Sequence, residues 1–207
     1  MTSTTLFYII IAIIVINFIV DKILDALNAK HYNDVLPKDL QDVYDEAEYK
    51  KSQNYKATNY KFGLLTSSFS ILLTLGFLWF DGFELVDNIA RNYSENSIIV
   101  ALIFFGIIMI GSDILTTPFS YYSTFVIEEK FGFNKTTVHT FVTDILKSFA
   151  LSIVLGFPIL TGLLAVIEWG GELFWLYTWA FCAVVTFVMM TVYPTFIAPL
   201  FNDYKDL

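Results

Sequence analysis

The chain has 207 residues, of which 56% are hydrophobic, 18% aromatic and only 15% charged; an average soluble domain carries about 25% charged residues. With a mean hydropathy of +0.62, a soluble fold of this length cannot hide so much apolar surface, and the composition is that of an integral membrane protein. The net charge of −8 excludes a nucleic-acid binder, which needs a basic surface, and the single cysteine, Cys182, excludes an intrachain disulfide or a cysteine-based metal cluster.

Residues 6–20 are apolar apart from Asn17, and Ile23, Leu24 and Leu27 can extend the run to the roughly 20 residues that cross a bilayer. The start MTSTT lacks the basic residues of a cleaved signal peptide, so a retained first span is expected. Residues 21–61 are the most charged region, with seven lysines and, from Asp21 to Glu48, eight acids. Pro37 suits a helix start. Leu40, Val43, Tyr44 and Ala47 then share one face, which predicts an amphipathic helix. Tyr44, Tyr49, Tyr55 and Tyr60 are expected at the headgroup level, with a substrate-binding surface as the alternative.

A second span covers residues 62–80, where Ser67, Ser68, Ser70 and Thr74 favour close helix packing. Residues 81–96 read as a short acidic loop. A third span covers 98–114 and is interrupted late by Asp113; Pro118 then marks a kink or an end. The fourth span, about 149–167, carries Gly156-Phe157-Pro158 and is expected to kink there. Residues 168–172 form a tight acidic turn around Gly170-Gly171. The fifth span, 173 to about 193, begins with an interfacial belt of Trp175, Tyr177 and Trp179 and ends at Pro194 and Pro199. Cys182 lies in this run and reads as a small buried hydrophobe.

Five spans sort the cations. One side receives residues 21–61, 115–148 and the C-terminus, with eleven of the twelve Lys and Arg; the other receives Arg91 alone. The positive-inside rule then puts the N-terminus outside and the C-terminus in the cytoplasm.

Between the third and fourth spans, residues 122–135 read YSTFVIEEKFGFNK. An apolar run ends in Glu128-Glu129-Lys130, turns at Gly132 and restarts. Gly132 suits the residue just past a helix C-terminus, and Asn134, Thr136 or Thr137 can cap the next helix. Val138, Phe141, Val142, Ile145, Leu146 and Phe149 mark one face of that helix. Glu128 and Glu129 are adjacent and do not face one another on a helix, so they do not readily share a metal or a proton; Lys130 is well placed against the helix dipole. Asp113 is an ionisable residue in an apolar run and so a functional candidate, although its place near the cytoplasmic end makes snorkelling or polar pairing equally suitable. The two histidines, His31 and His139, are not spaced as HExxH, and no Gly-rich phosphate loop or Ser/His/Asp set can be assembled.

The stretch YSTFVIEEKFGFNKTT resembles the signature loop of the type I CAAX prenyl endopeptidases, a family of membrane-embedded zinc metalloproteases. DVYDEAEYKKSQNY, ending near Phe62-Gly63-Leu64, resembles the family's first cytoplasmic loop, and TVYPTFIAPLFNDYKDL resembles the segment leaving its fifth span. The resemblance implies an all-α membrane bundle of about five transmembrane helices with cytoplasmic amphipathic helices. It implies that residues 1–207 are the N-terminal membrane domain of a Zn2+ protease acting on prenylated C-terminal peptides or membrane proteins. The partners implied are the lipid bilayer and a C-terminal zinc domain in cis or trans. Glu128, Glu129, Lys130, Gly132, Phe133, Asn134 and Lys135 take an architectural or domain-docking role in this reading. The chain departs from the family pattern in having no HExxH and is expected to be inactive alone. A non-catalytic scaffold, or a small transporter using Asp113, is the alternative.

Overall fold

Backbone N–H and C=O groups find no water in hydrocarbon, so a chain this apolar must satisfy them within each segment, and helices do so. The computed structural model describes residues 2–32, 34–36 and 45–202. Among them every regular element is helical: α1 (Ser3–Ala29), α2 (Glu46–Trp79), α3 (Gly82–Arg91), α4 (Ser97–Tyr122), α5 (Glu129–Phe131), α6 (Val138–Leu151), α7 (Phe157–Trp169) and α8 (Phe174–Val192). Five continuous helical stretches are long and apolar enough to cross a membrane, namely Ser3–Ala29, Glu46–Trp79, Ser97–Phe131, Val138–Trp169 and Gly171–Leu200. The amphipathic helix expected after Pro37, with Leu40, Val43 and Tyr44, lies outside the described residues.

The chain divides into two compact units. One comprises Met1–Leu85 with Ser112–Lys135, the other Val86–Gly111 with Thr136–Leu207. In the first unit α1 packs on α2. Thr2 caps α1, its hydroxyl accepting from the Thr5 N–H at 3.2 Å. α2 starts well before its apolar half: Asp45 is its N-cap, and Glu46 and Glu48 sit in the first turn, where the dipole favours acids. At 1.5 Å per residue its 34 residues span about 51 Å, against roughly 30 Å of hydrocarbon. The lysine-bearing half, residues 46–61, therefore extends the apolar half as one rod. Ser67 and Ser68 are half-buried, whereas Ser70 and Thr74 are exposed.

In the second unit α7 packs against α8, and a Cβ added at Gly162 would lie 2.9 Å from the Phe181 ring. Ser97 donates to Glu168 Oε1 at 2.9 Å, joining the start of α4 to the end of α7. Lys147 donates to the Leu200 carbonyl at 2.7 Å, where a helical end leaves orphan acceptors.

Several sequence expectations need correction. Residues 81–96 are not simply a loop: α3 occupies Gly82–Arg91, burying Val86 and Ala90 one turn apart and pairing Arg91 with Asp87 at 2.6 Å. Its sequence, GFELVDNIAR, mixes five apolar with four polar residues, and the helix sorts them onto opposite faces. Pro118 does not end the third span, because α4 runs through it. The hydroxyls of Thr116, Thr117 and Ser120 donate to the carbonyls of Ser112, Asp113 and Thr116, one turn back, next to the backbone that proline leaves short of a donor. Pro194 does not stop the fifth stretch either; it lies in a π-helical turn, Tyr193–Ile197, that leads on to Leu200. A second such turn, Ser152–Gly156, directly precedes Phe157-Pro158, so the local irregularity expected there takes the form of a wider helical turn. Cys182 is exposed rather than buried. The apolar face of α6 is likewise largely exposed, with Leu146 at 62%. Lipid supplies the apolar surroundings, so hydrophobicity in these helices does not imply an interior position.

Candidate functional site

The segment between α4 and α6 is ordered by its own backbone and by α2. A π-helical turn, Ser123–Glu128, leads from α4 into α5 and buries Ile127, which is 2% exposed. Gly132 closes α5 in the left-handed region, at φ 76° and ψ 22°. Its N–H donates to the Glu129 carbonyl at 3.0 Å, and the Phe133 N–H to the Glu128 carbonyl at 2.9 Å. These two bonds form the Schellman arrangement expected of a glycine at this position. Thr137 is the cap of α6, its hydroxyl accepting from the Thr140 N–H at 3.1 Å.

The side chains of this turn meet α2. Tyr55 donates from its hydroxyl to Glu128 Oε1 at 2.5 Å. Its ring lies edge-on to Phe131 at 5.2 Å and to Phe133 at 4.9 Å between centroids. One helical turn before Tyr55, the Lys51 ammonium sits 5.3 Å from the centre of the Phe133 ring, within cation–π range. Glu129 points to a different partner and accepts from Asn134 Nδ2 at 2.9 Å. The two glutamates therefore act separately, one tying the turn to α2 and the other holding the turn itself. The Lys130 ammonium lies 5.5 Å from the Phe131 ring, and Lys135 is exposed.

Asp113 is exposed on α4, and its carboxylate has no hydrogen-bond or ion-pair partner among the described residues; the Thr117 hydroxyl donates to its backbone carbonyl at 2.6 Å. His31 Nδ1 pairs with Asp34 at 2.8 Å, and His139 is exposed. No group of three or more His, Cys, Asp and Glu side chains able to hold a metal exists among the described residues. These residues do not fit a zinc centre.

Sequence reasoning missed Tyr55 and Lys51 as parts of this arrangement and weighted Tyr55 toward the headgroup level. The available signal was their spacing of four, which puts both on one face of a helix. Nothing local joins Tyr55 to Glu128, which lies 73 positions away.

Residues 25–203 match a family model described as the CAAX prenyl protease N-terminal domain, with five membrane helices. The chain belongs to this family. CAAX prenyl protease 1 homologs from Oryza sativa and Dictyostelium discoideum are 39% and 34% identical over 180 and 177 residues, each alignment covering 83% of this chain and 42% of the relative. CAAX prenyl protease 1 from Saccharomyces cerevisiae is 34% identical over 182 residues, covering 83% and 40%. The crystal structure of S. mikatae Ste24p superposes with a TM-score of 0.90 at 33% identity, over 97% of this chain and 49% of that one. The chain thus spans about two fifths of the length of the curated relatives it matches.

Proposed function

We propose that the chain serves as the membrane portion of a CAAX-type zinc endopeptidase, holding prenylated C-terminal peptides or membrane proteins for a catalytic segment that carries HExxH and the zinc. The observation that carries this reading is the 0.90 TM-score to Ste24p, obtained over 97% of this chain but only 49% of that one. The donor set among the described residues also lacks a metal-binding group, so zinc and the proton-handling glutamate would come from the catalytic segment, in cis or trans. The turn bearing Glu128, Glu129, Lys130, Gly132, Phe133, Asn134 and Lys135 is the docking surface for that segment: Gly132 closes its backbone, Tyr55 of α2 holds Glu128 and the Phe131 and Phe133 rings, and Asn134 holds Glu129 within the turn. Co-reconstituted with a fragment carrying HExxH, the chain should support zinc-dependent cleavage of a prenylated peptide that neither piece performs alone. A correctly inserted, stable complex with no cleavage would sink the reading.

In this function the N-terminus faces outward and the C-terminus the cytoplasm. The lysine distribution supports it, as does the Tyr55–Glu128 bond, which draws the lysine-bearing half of α2 and the turn after α4 to one end of the first unit. Reporter fusions after residues 50 and 135 should report the same, cytoplasmic side; opposite sides would contradict the topology.

The transporter alternative gains no support, because Asp113 belongs to no polar cluster among the described residues.

A further inference from the structure

We infer that the first unit carries a binding site for an anionic diacyl phospholipid, built from a groove between α2 and α4 and the adjoining polar hollow that holds Lys61 and Lys130. The groove has a volume of about 540 Å³, and its apolar wall is Phe62, Leu65, Pro118, Phe119, Tyr122 and Ile127. The wall is firm: Phe62 stacks on Tyr122 at 5.2 Å between ring centres, and Phe119 is held by Phe69 at 5.0 Å. Leu65 is 60% exposed, so the groove opens outward.

Thr58 and Lys61 line this groove and also a second, more polar hollow of about 490 Å³, which adds Tyr32, Asn54, Tyr60 and Lys130. An apolar slot therefore runs into a polar hollow with two ammonium groups. Neither Lys61 nor Lys130 has a carboxylate partner among the described residues, in contrast to Lys22, paired with Asp25, and Lys147, paired with Asp144.

Position and charge decide the occupant. Lys61 immediately precedes the apolar half of α2, and Lys130 follows the apolar run that ends at Ile127, so both mark the level where hydrocarbon gives way to headgroups. Acyl chains are abundant on the apolar side of that boundary and phosphates on the other. Basic hollows between membrane helices take anionic headgroups, and each lysine near the surface is worth about fivefold in affinity. The chain as a whole has a net charge of −8, so it offers no general attraction for anionic lipid, and a preference must come from a local site. The inference is independent of any protease role.

The test is native mass spectrometry of the intact chain in neutral detergent doped equally with phosphatidylglycerol and phosphatidylcholine. One tightly bound phosphatidylglycerol, favoured by roughly tenfold or more, is expected. Lys61→Gln with Lys130→Gln should abolish the preference, Lys61→Arg with Lys130→Arg should keep it, and Lys50→Gln, outside the groove, should leave it intact. Leu65→Trp, which fills the groove, should remove the adduct with both lysines in place. Equal binding of the two lipids, or a preference that survives the double Gln variant, overturns the site. Displacement by glycerol 3-phosphate alone would show that a free phosphate is the ligand. Displacement by a prenylated peptide carboxylate at equal concentration would show a substrate site instead. Either result overturns the lipid assignment.

Discussion

Tyr55→Ala is expected to destabilise the detergent-solubilised chain by about 3 kcal/mol, read from its unfolding midpoint in a denaturant titration. The variant removes a hydrogen bond to a carboxylate, worth about 1.5–3 kcal/mol, and two edge-on ring contacts, each worth about 0.5–1.5 kcal/mol. Both act at one point, because the phenol hydroxyl reaches Glu128 while the ring meets Phe131 and Phe133. Tyr55→Phe separates them: it keeps the ring contacts and loses only the bond, so it should cost roughly half as much. A double-mutant cycle of Tyr55→Phe with Glu128→Gln should then show coupling of about 1 kcal/mol or more. If the turn is the docking surface for a catalytic segment, Tyr55→Ala should also reduce cleavage in the reconstituted pair by more than the loss of folded protein explains. Additive single effects would refute the tether, and full activity in a destabilised variant would remove the turn from the docking role.

The second large effect is expected at the junction of α7 and α8. Gly170 has φ −70°, so no unusual backbone demands glycine there. The constraint is space: a Cβ would fall 2.6 Å from the Phe174 Cα and 2.7 Å from the Val166 carbonyl oxygen. Both are backbone atoms, and relief requires moving a helix end rather than a side chain. Gly170→Ala should therefore cost about 1–3 kcal/mol, at the upper end of that range because the neighbours are rigid. Its neighbour is the control. Gly171 has φ +54° and open space around its missing Cβ, so Gly171→Ala meets only left-handed strain of about 1–2 kcal/mol. Gly156 has neither constraint, and Gly156→Ala should be neutral or slightly stabilising. Thermal unfolding in detergent should rank the three in that order, and a Gly170→Ala protein as stable as Gly156→Ala would disprove the crowding.

The five spans were legible from residue order because the bilayer filters one segment at a time. Each stretch needs enough apolar length and satisfies its own backbone, and neither condition refers to another part of the chain. Gly132 was legible for the same reason, since a charged helix end followed by glycine dictates its own closing turn; the cap of α6 was narrowed to Asn134, Thr136 or Thr137, and the structure selects Thr137. The resemblance at residues 122–135 pointed to the family on wording alone.

What lay beyond reading depended on neighbours. α3 carries Leu85, Val86, Ile89 and Ala90 at helical spacing, but in only ten residues among several acids, so it reads as a loop until the fold buries Val86 and Ala90. Pro118 suits either a kink or an end in residue order, and only the fold shows α4 running through it. The polar half of α2 shows no apolar periodicity, so only the fold reveals that the helix starts at Glu46. Cys182 and the stripe on α6 are exposed, because in a membrane helix hydrophobicity alone does not assign a side chain to the interior. The bond from Tyr55 to Glu128 bridges 73 positions, and a contact that distant leaves no pattern in residue order; it exists because α2 starts at Glu46, well before its apolar half, and there meets the turn that closes α5. Residue order alone thus determined the membrane class, the five crossings and the glycine turn, each settled within its own stretch of chain, while tertiary structure decided which polar groups meet, because that depends on the three-dimensional course of helices far apart in sequence.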